Sequence, residues 1–161
     1  MKFEILAVGK MRDEIYKNIS NDYIKKIIHL GKNIGLKNFE IIEINKSTDI
    51  NATSRKIKEA ELMLDYLKKI KTTIIALDEN GVNMSSQSFS NTLNKLTDSL
   101  NNNIIFIIGG PDGLDNSIIK KADICIAFGS FTWPHKIARI LLQEQIYRAI
   151  SIICKHPYHR V

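Results

Sequence analysis

The residues with the most chemistry in them sit in the last third of the chain, at two glycine-marked strand ends and in a basic, aromatic tail. Ile104 to Ile108 is an unbroken apolar run that enters Gly109-Gly110-Pro111-Asp112-Gly113-Leu114, and Ile124 to Phe128 enters Gly129-Ser130-Phe131-Thr132-Trp133-Pro134. The sequence closes on Lys155-His156-Pro157-Tyr158-His159-Arg160-Val161. Paired glycines let a ligand approach bare backbone with no Cβ in the way, and Pro111 fixes the direction of exit. In the tail, an imidazole such as His159 can exchange a proton near neutral pH. A guanidinium such as Arg160 holds a phosphate or developing negative charge, and a phenol such as Tyr158 stacks or donates a hydrogen bond. Taken alone, a terminal Tyr-His-Arg is more simply a solvated end.

These groups need elements to hold them, and apolar periodicity supplies a regular alternation. Lys2 to Val8 reads as a strand ended by Gly9, and Asp13 to Leu30 as a helix with Ile15, Ile19, Tyr23, Ile27 and Leu30 at helical spacing. Gly31 and Gly35 punctuate a loop before a second strand, Phe39 to Ile44. Ile57, Ala60, Leu64 and Leu67 then mark the inward face of a helix whose other faces carry Lys and Glu. Thr73 to Leu77 is a third strand, and Asp78-Glu79-Asn80-Gly81 turns away from it. Ser85 or Ser86 caps a helix with Phe89, Leu93, Leu96 and Leu100 on one face, and Asn101-Asn102-Asn103 turns into the strand at Ile104. A helix from Lys136 to Ile153 follows the last strand. Short strands separated by helices predict an α/β fold, a mainly parallel sheet flanked by helices, in a single domain spanning 1–161.

In such a sheet, ligands collect outside the carboxyl ends of the strands. That rule selects Leu77-Asp78, Gly109 to Gly113 and Phe128 to Trp133. The glycines lack G-x-G-x-x-G spacing and no G-x-x-x-x-G-K-[ST] is present, which disfavours a dinucleotide fold and a phosphate loop. A net charge of +6 is compatible with a polyanionic partner. The lysines are spread over several segments, so no single phosphate contact is assigned from them. Cys125 and Cys154 lack Cys-x-x-Cys spacing and read as buried free thiols; no metal site is expected, and a reducing, cytoplasmic setting fits. Ile5 to Val8 is too short for a signal segment, and the helix after His135 is interrupted by Arg139, Gln143, Glu144, Gln145 and Arg148, so no membrane partner is expected.

The ordered set Leu77-Asp78, Ile107 to Leu114, Thr132-Trp133-Pro134-His135, Glu144-Gln145-Ile146-Tyr147-Arg148-Ala149 and His156-Pro157-Tyr158-His159-Arg160 resembles one family. It is similar to the ribosomal large-subunit pseudouridine N3-methyltransferases of the RlmH type, in the SPOUT superfamily, over essentially the whole chain. The resemblance implies a C-terminal trefoil knot, S-adenosylmethionine as methyl donor, a homodimer, and methylation of N3 of a pseudouridine in large-subunit rRNA within the ribosome. Carried over position by position, it implies a cofactor site at Leu77, Gly109, Phe128, Gly129, Ser130, Phe131, Thr132 and Trp133, and catalytic roles for Tyr158, His159 and Arg160. His135 is a secondary candidate. Two other readings stay open: a SPOUT methyltransferase with another RNA target, and a non-catalytic ribosome-associated binding protein.

The last helix bears on the dimer directly. Ile137, Leu141 and Ile152 point differently from Ile140 and Ile150, so the helix is apolar on more than one face and needs a partner besides the sheet. Glu144 and Arg148, four apart, form an ion pair on its surface. In a dimer Arg148 reaches either RNA or the neighbouring subunit's site.

Overall fold

The computed structural model describes residues 1–97 and 103–159. Its five strands are β1 (Lys2–Val8), β2 (Asn38–Ile44), β3 (Thr73–Asn83), β4 (Ile104–Ile108) and β5 (Ile124–Ala127). All pair in parallel, in the order β2-β1-β4-β3-β5. The helices are α1 (Glu14–Gly31), α2 (Ala52–Leu67), α3 (Ser86–Thr97), α4 (Asn116–Lys121) and α5 (His135–Ile153).

Strand β4 is buried along its whole length, which is why its sequence is a continuous apolar run rather than an alternation. Successive residues of a strand face opposite sides, and two cores result. Phe3, Ile5, Ile75, Phe106 and Ile108 pack under α1, α3 and α5 against Ile27, Phe89, Leu93, Leu142, Ile146 and Ile150. Leu6, Val8, Ile74, Ala76, Ile105 and Ile107 pack under α2 and α4 against Ala60, Met63, Leu67 and Ile118. The parallel sheet flanked by helices is as the sequence predicts.

Several details differ. Ile15 and Ile19 keep helical spacing but lie on the solvent side of α1, and Ile57 does so on α2; Ile27 and Leu30 turn inward as expected, and Ser20 and Met63 join them. Gly31 ends α1 rather than opening a loop, and a single 3-10 turn, Lys32–Ile34, leads to Gly35. The six-residue α4 has no apolar repeat long enough to announce it; Asp115 caps it, accepting from Ser117 N at 2.8 Å. Ser85 is the cap of α3, its Oγ accepting from Ser88 N at 3.1 Å. Leu100, Asn101 and Asn102, given places in the sequence reading, lie outside the described residues.

The largest correction concerns Asp78-Glu79-Asn80-Gly81. These residues do make a local turn, Asp78 Oδ1 accepting from Asn80 N at 3.0 Å, but β3 does not end there. Leu77 and Val82 both pair with Ile126, so four residues loop out and the strand resumes beside β5. A Cβ on Gly81 would stand 2.5 Å from the Ile126 carbonyl carbon, so only glycine fits where the two backbones meet.

Candidate active site

The ends of β4 and β5 meet the bulge of β3 at the carboxyl edge of the sheet. Leu77 of β3 is in register with Ile108 of β4, and Phe128 follows directly on β5. Beyond Ile108 the glycine-rich turn folds back on itself: Gly113 N donates to Gly110 O at 3.0 Å, and a Cβ on Gly109 would lie 2.7 Å from the Gly113 carbonyl carbon. Gly113 has φ +83°, a left-handed conformation that favours glycine. Beyond Phe128, Gly129 has φ +81°. Trp133 Nε1 then donates to Phe128 O at 3.0 Å, which closes the second loop into a hoop.

The hoop and the turn face each other across a cleft of about 520 Å³, lined by Leu77 to Asn80, Ile108 to Leu114, Phe128, Gly129 and Phe131 to Trp133, with Lys56, Asn116, Ile119, His135 and Ala138 completing it. Its size is that of a small-molecule site. Leu77, Ile108, Leu114, Ile119 and Ala138 supply apolar surface, the glycines bare backbone, and Asp78 and Glu79 negative charge. That set fits S-adenosylmethionine, whose adenine has flat stacking faces and hydrogen-bonding edges and whose sulfonium is cationic. Seven residues assigned to the cofactor by resemblance line the cleft: Leu77, Gly109, Phe128, Gly129, Phe131, Thr132 and Trp133. Ser130 is exposed and does not line it.

Helix α2 contributes what the sequence reading missed. Arg55 Nε and Nη2 donate to Asp112 Oδ2 and Oδ1 at 2.7 and 2.8 Å, and Arg55 Nη1 holds the carbonyls of Asp49 and Ile50, each at 2.8 Å. One turn on, Glu59 is buried behind the glycine turn and accepts from Ser47 N at 3.0 Å. Burial raises its carboxyl above the ordinary range. A Lys- and Glu-bearing helix face normally reads as solvated surface, and a local pattern carries no sign that Asp112 lies opposite.

His135 begins α5 at the edge of the cleft. Burial, reinforced by Arg139, Lys136 and Lys46, lowers its imidazole, favouring the neutral form. The tail lies elsewhere. Tyr158 donates to Glu144 Oε1 at 3.0 Å, its ring centroid is 4.6 Å from that of Tyr147, and Arg148 stacks over it at 4.9 Å. Arg148 also grips Glu144, with its Nε at 2.8 Å, and its Nη1 is 3.4 Å from His159 Nδ1. Burial and the nearby Tyr23 and Glu144 raise the Tyr158 phenol, keeping it protonated. Neither Tyr158 nor His159 lines the cleft of its own chain. Arg160 lies outside the described residues.

Among the described residues, no group of three or more His, Cys, Asp or Glu side chains is placed to hold a metal ion, and no helix is long and apolar enough to cross a membrane. Cys125 and Cys154 are free, half-buried thiols whose pKa values burial pushes up.

Fold and cleft together define an α/β domain whose cleft is bounded by glycine loops after β4 and β5 and by the bulge of β3 between them. A family model described as a predicted SPOUT methyltransferase matches residues 1–159, and the chain belongs to that family. It is 38% identical over 161 residues to a protein of Agrobacterium fabrum named ribosomal RNA large subunit methyltransferase H, covering 100% of both chains. A protein of the same name from Bradyrhizobium diazoefficiens is 37% identical over 160 residues, covering 99% of each. Among solved structures, a probable methylase family protein from Haemophilus influenzae superposes with a TM-score of 0.51 at 11% identity, covering 99% of this chain and 70% of that one, a likeness of fold.

Proposed function

We propose that this protein is a methyltransferase of large-subunit rRNA that uses S-adenosylmethionine to methylate N3 of a pseudouridine, acting as a homodimer on the ribosome in the cytoplasm. The observation that carries the reading is the end-to-end correspondence with relatives named ribosomal RNA large subunit methyltransferase H, at 36–38% identity and without gaps in coverage. The cleft supports the donor, and the family supports a trefoil knot formed by the two glycine-marked loops.

S-adenosylmethionine supplies a methyl group already activated by its sulfonium, so the chain's own work is to position the base and to remove the N3 proton. Leu77, Gly109, Phe128, Gly129 and Phe131 to Trp133 would hold the donor, which would supply the methyl group and leave as the neutral thioether, while the N3–H proton would pass to a base of the protein. His159 is the candidate for that base. Tyr158, held as a phenol, donates a hydrogen bond or stacks, and Arg160 balances negative charge on the ring or holds a phosphate.

The position of the tail favours the dimer. Tyr158 and His159 pack against α5 rather than in the cleft, so a tail that serves catalysis serves a partner's cleft or moves. Half-buried Ile137, Ile140, Leu141 and Ile152 leave apolar surface on α5 for a partner. The test is methyl transfer from labelled S-adenosylmethionine to purified ribosomes, with the product nucleoside identified by mass spectrometry and the subunit state by sedimentation. N3-methylpseudouridine in large-subunit rRNA is the expected product. Donor binding without transfer to ribosomes moves the target to another RNA, and a monomer at micromolar concentration overturns the dimer.

A further inference from the structure

The loop from Gly129 to Pro134 carries two large aromatic side chains that the fold does not use. Phe131 is 81% exposed and Trp133 43%, and neither belongs to either core. Their ring centroids are 6.5 Å apart at an interplanar angle of 71°. The hydrogen bond from Trp133 Nε1 to Phe128 O fixes the edge of the indole and leaves much of the ring open. Both line the cleft, yet its apolar floor is made by Leu77, Ile108, Leu114, Ile119 and Ala138. Exposed rings fixed at a rim hold a flat ligand that arrives from solvent.

The charge around the same rim is mixed: Asp78 and Glu79 line the cleft, Asp112 is held by Arg55, and lysines stand beside the glycine turn and His135. Lys56 lines the cleft, Lys46 and Lys56 act on Asp112 in the glycine turn, and Lys46 and Lys136 act on His135. Exposed aromatic faces with lysines on one flank are a pattern that binds single-stranded nucleic acid: bases stack on the rings while the backbone follows the cations.

We infer that Phe131 and Trp133 form a stacking platform for an unpaired nucleobase of the RNA, next to the base that is methylated. The inference rests on the proposed RNA substrate. It divides the loop's duties: the backbone of 128–132 faces the cofactor, and the two rings face the substrate. A base stacked here leaves the helical stack of its own strand and helps present its neighbour to the cleft.

Trp133 is the only tryptophan in the chain, so its fluorescence reports the platform directly. The full-length protein is titrated with a short single-stranded oligoribonucleotide of mixed sequence, with S-adenosylhomocysteine present throughout. Quenching is expected, and Phe131→Ala should weaken it about tenfold. On ribosomes, Phe131→Ala and Trp133→Leu should each raise KM for the ribosome about tenfold, a larger change than either makes in S-adenosylhomocysteine affinity. An unchanged KM overturns the platform. So does a loss confined to S-adenosylhomocysteine affinity, which makes the rings cofactor contacts, or conversion of a dimer to a monomer by Phe131→Ala, which makes them interface. Should the wild type fail to methylate ribosomes, the proposed function falls separately, and the titration decides the platform: quenching weakened by Phe131→Ala supports it and absence of quenching overturns it.

Discussion

Arg55 on α2 and Asp112 in the glycine-rich turn face each other side-on, joined by two hydrogen bonds of 2.7 and 2.8 Å. The same guanidinium holds the backbone between β2 and α2, so one side chain ties two loops together at the cleft. Arg55→Ala should loosen the turn without unfolding the domain, weakening S-adenosylmethionine binding about two- to fivefold by calorimetric titration, as for a partly exposed pair. The Arg55 guanidinium lowers the Asp112 carboxyl. The pair's contribution is therefore complete above the ordinary aspartate range and lost as pH falls through the lower folded value. Wild type and variant should differ in thermal stability at neutral pH and converge only in strong acid.

Glu59, one turn beyond Arg55, has the opposite sign. Its residue is 3% exposed, and burial raises its carboxyl, with Asp112 adding to the effect and Ser47 N–H opposing it. The charged form is disfavoured in the folded protein, so its cost is absent below the ordinary carboxylate range and grows as pH rises through that range to the folded value. Glu59→Gln keeps an oxygen for Ser47 N and removes the buried charge. It should melt a few degrees above wild type at neutral pH, with the gap closing in acid. A variant less stable at neutral pH would show that the anion itself is needed.

These two residues mark where the sequence stops being readable. Strand β4 was legible because Ile104-Ile105-Phe106-Ile107-Ile108 must be buried on both faces, and the cleft because strand ends in parallel sheets collect ligands. The strand order was not legible, since β1 pairs with β4, Phe3 with Ile104, across two other strands in the sequence. Nor was the bulge at Asp78 to Gly81: its local chemistry is that of a turn, and what restores the strand is the backbone of Ile126, a non-local contact. Arg55 and Glu59 look like any charged helix face until Asp112 and Gly110 are placed against them. A Cβ on Gly110 would meet Glu59 Oε2 at 3.0 Å.

Gly109 and Gly113 separate two reasons for glycine. A Cβ at 109 meets the Gly113 carbonyl carbon, backbone that no rotamer change can move. At 113 a Cβ meets nothing within 4 Å, but φ is +83°. Gly109→Ala should cost about 1–3 kcal/mol and distort the turn, abolishing donor binding in a direct titration. Gly113→Ala should cost about 1–2 kcal/mol from backbone strain and keep measurable binding. Equal loss of binding in both would mean that the turn tolerates no change of any kind.

Arg139 on α5 is 1% exposed and donates to Glu43 Oε1 at 2.5 Å and to Gly9 O at 2.8 Å, joining α5 to the ends of β1 and β2. His135 and Gln143 lie one turn to either side, and Gln143 Oε1 accepts from Ser20 Oγ at 3.0 Å, so a polar seam runs down this face of the helix. Arg139→Met leaves the Glu43 carboxylate without its counter-ion, with only Met11 N–H at 2.9 Å still donating to it, and the Gly9 carbonyl without the guanidinium. The expected loss is about 3 kcal/mol, a fall in Tm of about 6–12 °C for a chain of this size. A fall below about 2 °C would show that water replaces the guanidinium and that the seam is not structural.

The tail provides the last test, because packing and catalysis predict different outcomes for it. Tyr158 rests on Tyr147 and donates to Glu144, which Arg148 also holds, so the tail is anchored through a shared carboxylate. Tyr158→Phe keeps the ring on Tyr147 and removes only the hydroxyl, a loss of about 1 kcal/mol if the contact is structural alone. Ending the chain after Pro157 removes the ring, His159 and Arg160 together. If these residues act on the base, the truncated protein should bind S-adenosylmethionine as well as wild type, since neither Tyr158 nor His159 lines the cleft of its own chain, yet lose methyl transfer by at least about a hundredfold. Mixing it with an inactive full-length variant such as Gly109→Ala then asks whose cleft the tail serves. Recovery of activity in the mixed dimer means that a full-length tail completes the partner's intact cleft, and no recovery means that each chain needs its own.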